Sequence, residues 1–181
     1  FMQRAYDQIV HDVALTKQPV VFCLDRAGLV GEDGPTHHGT LDISYLRPIP
    51  NMEVLAPRDE LELSMMLEYA VKQNCPVAIR YPRGCGTGTK DTAESRKSVQ
   101  TGKAEIVKDG KDIIFMPLGS TYSEAMKAVE ILERDHNLSV KVINPRFVKP
   151  FDEELFKEIR TNFVKSKALV HKETGTVSEN F

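Results

Sequence analysis

Between Asp25 and Gly39 the sequence concentrates one guanidinium (Arg26), three carboxylates (Asp25, Glu32, Asp33) and two imidazoles (His37, His38) among four glycines. Glycine lets backbone approach a ligand closely, and this mixture of charges is hard to explain by packing. A carboxylate near an imidazole can hold and polarise the ring for proton transfer near neutral pH, and the loop offers several such pairings. The competing reading is a solvated loop with an ordinary salt bridge, and composition leaves both open. No metal site is expected: the adjacent side chains of His37 and His38 diverge, and no third Cys, His or carboxylate recurs at helical or hairpin spacing. Arg83, in Tyr81-Pro82-Arg83-Gly84, is a further candidate, because a guanidinium can grip a phosphate in bidentate fashion. Its alternative is a surface arginine at a domain edge. Gly84-Cys85-Gly86-Thr87-Gly88 looks like a nucleotide-binding glycine loop, but no helix follows and no lysine stands at the P-loop position, so it reads as linker. Leu118-Gly119-Ser120-Thr121 reads as a helix cap rather than an anion site.

The hydrophobic pattern supplies a scaffold for these groups. Apolar residues at Ala5, Ile9 and Val13 make Met2 to Thr16 an amphipathic helix, ended by Lys17-Gln18-Pro19. Pro19-Val20-Val21-Phe22-Cys23-Leu24, closed by Asp25, has the pattern of a strand buried on both faces of a parallel sheet. The charged loop therefore leaves the C-terminal end of a buried strand, where open parallel sheets place ligand sites. Further strands are expected at 53–56 and 76–81. Between them a helix N-capped by Asp59 should carry Leu63, Met66, Leu67, Ala70 and Val71 as its apolar stripe. From Gly84 to about Gln100 the composition turns to Gly, Thr, Ser, Lys and Asp, as in an interdomain linker. Beyond it come a strand from Ile113 to Leu118, a helix from Thr121 with Ala125, Ala128, Val129 and Leu132 on one face, a strand from Ser139 to Ile143, a helix from Asp152 and a strand from Ala168 to Val170. Thr121 and Glu124 have capping-box spacing. Alternating strands and helices imply parallel pairing through right-handed crossovers. The expected fold class is α/β, as two doubly wound, mostly parallel-sheet domains at 1–83 and 103–181 joined by a linker at 84–102.

Composition excludes several classes of function. Lys and Arg total 24 against 26 Asp and Glu, so the net charge of -2 provides no global field for nucleic acid or anionic membrane, and any phosphate recognition is local. No apolar run approaches the length of a membrane span. The three cysteines, Cys23, Cys75 and Cys85, are odd in number and lack metal-ligand spacing, which suits reduced structural thiols. The start at Phe1, within a helical pattern and without signal or transit features, points to residues upstream and to a cytoplasmic protein.

Phe1-Met2-Gln3-Arg4-Ala5-Tyr6-Asp7-Gln8, Asp25-Arg26-Ala27-Gly28-Leu29-Val30-Gly31, Asp33-Gly34-Pro35-Thr36-His37, Ile49-Pro50-Asn51-Met52 and Arg80-Tyr81-Pro82-Arg83-Gly84 resemble the 1-deoxy-D-xylulose-5-phosphate synthases, a thiamine-diphosphate-dependent family of the transketolase superfamily. The stretch from Val142 to Pro150 resembles the C-terminal transketolase domain more loosely. Asp25-Arg26-Ala27-Gly28 sets the chain apart from sugar transketolases and from 2-oxoacid dehydrogenase beta subunits. The resemblance implies a pyrimidine-binding domain lacking its beginning, joined to a C-terminal domain that supports a homodimer. It implies condensation of pyruvate with glyceraldehyde 3-phosphate, with loss of carbon dioxide. Phe1 then packs on the cofactor's aminopyrimidine, with Arg4 in the same segment. Arg26 and Arg83 face the aldehyde's phosphate, and Asp33 and His37 line the site near the reacting carbons. The family's pyrimidine-contacting glutamate, and its diphosphate and magnesium ligands, have no counterpart in residues 1–181. This chain is therefore expected to hold neither thiamine diphosphate nor Mg2+ by itself and to be inactive alone. His38 stands where the family commonly has glutamine, and His171 to Thr176 departs from its usual acidic, then Gly-rich ending. The alternative from another class is a non-catalytic dimerisation or regulatory module in which Arg26, His37 and Arg83 need not converge.

Overall fold

The protein is described by a computed structural model covering residues 2–161, and the chain divides into two compact units, Phe1–Phe151 and Asp152–Phe181. In the first unit, a 3-10 turn at Met2–Ala5, a single α-turn α1 (Tyr6–Gln8) and a π-helical stretch at Ile9–Ala14 replace the continuous helix expected there. They place Ile9 and Ala14 in the core. β1 (Val21–Leu24) follows, then the charged loop, then α2 (Asp42–Leu46), β2 (Glu53–Leu55), α3 (Glu60–Ala70) and β3 (Val77–Arg80). β3 lies between β1 and β2 and is parallel to both, with Leu24 opposite Arg80 and Leu55 opposite Ile79. The segments that leave β1 and β3 therefore emerge side by side.

A second sheet is formed by β4 (Glu105–Lys108), β5 (Ile113–Phe115) and β6 (Val140–Asn144), with α4 (Tyr122–His136) packed against it. β6 is central, parallel to β5 and antiparallel to β4. β7 (Phe147–Lys149) then joins the first sheet, antiparallel to β2. The α/β class holds, and β4 and β7, which lack the long apolar run of the other strands, add an antiparallel pair to each sheet. One face of the first sheet packs Leu24, Val54 and Ala78 with Leu46, Ile49 and Met52. The other packs Leu55, Val77 and Ile79 with Met66, Ala70 and Phe147. Each Val, Leu, Ile, Met or Phe side chain among them contributes about 1.5–3 kcal/mol relative to exposure.

Two local expectations are corrected. Leu67 of α3 and Val71, which caps its C-terminus, are exposed, whereas Leu61, Glu62, Met65, Met66 and Ala70 are buried. The helix is turned so that Glu62 faces inward, where its carboxylate has partners. Asp59 does cap α3, accepting the Glu62 N–H at 2.8 Å. Thr121 does not close a capping box: its backbone is already helical as the last residue of a 3-10 turn, Gly119–Thr121, and its hydroxyl donates to the Leu118 carbonyl at 3.0 Å. Residues 84–100 contain no helix or strand. In the second unit a helix, α5, spans 153–161 and is capped by Asp152, whose carboxylate accepts the Leu155 N–H at 3.3 Å. The strand expected from Ala168 to Val170 lies outside the described residues.

Candidate functional site

β1 ends at Leu24 and β3 at Arg80, and hydrogen bonds continue past both ends: the Tyr81 N–H donates to Leu24 O and the Ala27 N–H to Tyr81 O, each at 2.9 Å. Arg26 takes a left-handed backbone, φ 62, at a cost of about 1–3 kcal/mol for a non-glycine residue. Gly28 and Gly39 then exchange N–H···O bonds of 3.3 and 2.9 Å that close residues 29–38 into a loop. Gly39 has no room for a side chain. A Cβ there would lie 2.4 Å from the Arg26 carbonyl oxygen and 2.5 Å from Asp42 Oδ2. Gly39→Ala is expected to destabilise the chain by about 1–3 kcal/mol, read as a lowered urea midpoint; an unchanged midpoint would refute the tight closure.

Within the loop, Asp33 joins two arginines. Arg26 Nε donates to Asp33 Oδ2 at 2.7 Å, and Arg83 Nη1 pairs with Asp33 Oδ1. Arg26 also pairs with Asp25, and Glu32, almost fully exposed, lies 3.8 Å from Arg83. The two guanidiniums predicted to face one phosphate thus meet at a single carboxylate, at the ends of adjacent parallel strands. Hydrogen bonds from Arg26 and then Arg83 hold the Asp33 carboxyl below the usual carboxylate range, and the bond to Asp33 raises Arg26 in turn. A depressed folded value means that the bridge contributes fully above the unfolded value of about 3.9 and is lost as pH falls through the lower folded value. A carboxyl NMR titration should give Asp33 a midpoint below about 3.9, raised again in Arg26→Ala. A midpoint at or above that value in the wild type would contradict the geometry.

His37 is half-buried in a 3-10 turn, Pro35–His37, with its Nδ1 3.0 Å from Thr36 Oγ1. The Val30 N–H donates to His38 Nδ1 at 3.0 Å, which places the proton of the neutral ring on Nε2 and ties the loop across its width. Arg4 is exposed on the 3-10 turn Met2–Ala5. Phe1 lies outside the described residues.

Two supporting groups escaped the functional reading of the sequence. Arg80 Nη2 donates to Gly39 O at 3.2 Å, with its Nε 3.9 Å from the buried Asp42, which also accepts the Tyr45 hydroxyl at 2.8 Å. Burial lowers Arg80, and burial together with Asp42 raises the Tyr45 phenol. These residues hold the base of the loop from below. The second group is a buried ionic network. Glu62 Oε1 accepts from Asn144 Nδ2 and Arg146 Nε, both at 2.8 Å, and its Oε2 accepts from the Arg58 backbone N–H at 2.8 Å. Arg146 Nη2 and Arg58 Nη1 each lie 3.0 Å from Glu105 Oε2, and Lys97 pairs with its other oxygen. The Arg58 guanidinium sits 5.0 Å from the centre of the Tyr122 ring. Arg146 is left-handed, φ 59.

Comparison with known proteins decides the family. The transketolase pyrimidine binding domain matches residues 1–87, and the transketolase C-terminal domain matches residues 102–177. The chain belongs to the transketolase superfamily. A 1-deoxy-D-xylulose-5-phosphate synthase of Pelotomaculum thermopropionicum is 53% identical over 85% of this chain and 24% of its own length. One from Synechococcus sp. (strain JA-3-3Ab) is 44% identical over the whole of this chain and 27% of its own length. The chain thus spans about a quarter of the curated relatives it matches. The solved structure of a split-gene transketolase, an inactive beta4 tetramer, superposes with a TM-score of 0.74 at 27% identity, covering 86% of this chain and 49% of that one. The resemblance drawn from Asp25 to Gly31 and from Arg80 to Gly84 is borne out at the level of family. In transketolase terms, Arg26, Asp33, His37 and Arg83 all fall in the pyrimidine-binding segment. The buried network joins that segment, through Arg58 and Glu62, to the C-terminal segment, through Glu105, Asn144 and Arg146.

Proposed function

We propose that this chain is the pyrimidine-binding and C-terminal portion, with domains at 1–83 and 103–181 and a connecting stretch at 84–102, of a 1-deoxy-D-xylulose-5-phosphate synthase that condenses pyruvate with glyceraldehyde 3-phosphate and releases carbon dioxide. The observation that carries this reading is the meeting of Arg26 and Arg83 on Asp33. Two guanidiniums on one carboxylate are poised to receive a phosphate dianion, which offers more charge and more acceptor oxygens than the carboxylate does. Phosphate binding exchanges carboxylate for phosphate on these groups and frees Asp33 to work with His37 near the reacting carbons, where His37 moves a proton. Held at its phosphate end, the aldehyde has its carbonyl fixed for attack, so binding energy remote from the reacting bond is used for orientation.

The cofactor is thiamine diphosphate, which supplies a nucleophilic carbon and an electron sink when bound. Phe1 and Arg4 are the residues of this chain assigned to its pyrimidine end. Among the described residues no three His, Cys, Asp or Glu side chains cluster as metal ligands, so Mg2+ is assigned to the remainder of the enzyme. No helix of the described residues is long and apolar enough to cross a membrane, and we place the enzyme in the cytoplasm as a homodimer. The neighbouring split-gene transketolase, inactive as a beta4 tetramer, supports the expectation that this chain alone is inactive. The test is product formation: the full-length protein should convert pyruvate and glyceraldehyde 3-phosphate to 1-deoxy-D-xylulose 5-phosphate, and the isolated chain should not. A full-length protein with no such activity would favour a non-catalytic module.

A further inference from the structure

The glycine-rich stretch that follows Arg83 is exposed and irregular, yet it is pinned at one place. The carboxylate of Glu60, the first residue of α3, accepts the Thr87 N–H and hydroxyl, each at 2.9 Å, on Oε2. Its Oε1 accepts the N–H groups of Gly88 at 2.6 Å and Thr89 at 2.8 Å. Three successive backbone N–H groups aimed at one carboxylate form an anion cradle, and the anion in it is the protein's own. The glycines serve this approach: a Cβ on Gly86 would lie 2.8 Å from Glu60 Cδ, and Gly88 is left-handed, φ 82. Hydrogen bonds from its own backbone N–H and from Thr87 pull the Glu60 carboxyl down to about 2, so it is ionised at neutral pH.

On the other side of Arg83 the chain is fixed at Tyr81, bonded to Leu24 and Ala27. Among the described residues, positions 82–86 make no backbone-to-backbone hydrogen bond, so Arg83 rides on a short span between Tyr81 and Thr87. Without Glu60 the next anchor on α3 is Arg96, bonded to Glu68 at 2.6 Å and Ser64 at 3.3 Å. The span would then run from 81 to 96, and a longer tether admits more positions for Arg83.

We propose that Glu60 is a positioning residue for Arg83: its carboxylate clamps Thr87–Thr89 and thereby holds the Arg83 guanidinium in reach of Asp33 and of the substrate's phosphate. This rests on the reading of Arg83 as a phosphate-binding group.

The test is calorimetric binding of glycerol 3-phosphate to the full-length protein, in the wild type, Glu60→Ala, Glu60→Gln, Arg83→Ala and the Glu60→Ala/Arg83→Ala double variant. Glu60→Ala should weaken binding about 10-fold and speed amide exchange at Thr87, Gly88 and Thr89. Glu60→Gln, which keeps one acceptor oxygen, should weaken it less. In the Arg83→Ala background, loss of Glu60 should cost nothing further. Wild-type affinity in Glu60→Ala, or an equal weakening with and without Arg83, would overturn the proposal. Arg83→Ala binding as tightly as wild type would instead overturn the phosphate reading of Arg83 on which it rests.

Discussion

Arg83→Ala in the full-length protein is expected to lower kcat/KM for glyceraldehyde 3-phosphate about 100-fold while changing kcat/KM for unphosphorylated glyceraldehyde by less than about 3-fold, and Arg26→Ala should behave alike. Hydrogen bonds to charged groups are worth about 1.5–3 kcal/mol each, so removing one guanidinium from a phosphate costs about one to two powers of ten. Arg83→Lys should recover only part of the loss, since an ammonium keeps the charge but not the planar fork. The two losses should not add fully, because Arg26 and Arg83 share Asp33. Equal losses with both aldehydes would give these arginines a structural role, as braces that hold the loop through Asp33.

The largest effect on stability is expected from Glu62→Ala. Glu62 is fully buried and Arg146 is 5% exposed, so truncating the glutamate leaves the Arg146 guanidinium in the interior with Glu105, which it shares with Arg58 and Lys97, as its counter-charge. Breaking a buried pair on one side costs about 3–5 kcal/mol, a large share of the about 5–15 kcal/mol that stabilises a typical domain. Urea unfolding of this chain should show a correspondingly lower midpoint. Glu62→Leu combined with Arg146→Met should be more stable than Glu62→Ala, because it removes both charges at roughly constant volume. A double variant no more stable than the single would mean that the network stabilises through its hydrogen bonds to Asn144 and the Arg58 backbone rather than through charge balance.

The parallel core was legible because β1 and Val77-Ala78-Ile79 of β3 lie in continuous apolar runs and Val54-Leu55-Ala56 forms a shorter one, and buried strands have few other solutions. β7 was hidden: three residues wide and followed by Pro150, it is recognised only by its pairing with β2. Arg26 and Arg83 could be singled out because each stands just beyond a readable strand end. That Asp33 would bridge them depended on β3 inserting beside β1, a topological fact that no local pattern carries. The Glu62 network was invisible for a related reason. Its members are far apart in sequence, and charged side chains read locally as surface until the fold brings opposite charges together in the interior. The glycine-rich stretch after Arg83 has the composition of a linker, and its acceptor lies on α3, well upstream, where no local pattern reveals it.

The most direct measurement is carbon dioxide release from pyruvate by the full-length protein, with glyceraldehyde 3-phosphate or glyceraldehyde as acceptor. Release with both, and a KM lower by about 100-fold or more for the phosphorylated aldehyde, is the predicted result, because only that acceptor engages Arg26 and Arg83. Equal KM values for the two aldehydes, or no release with either, would contradict it.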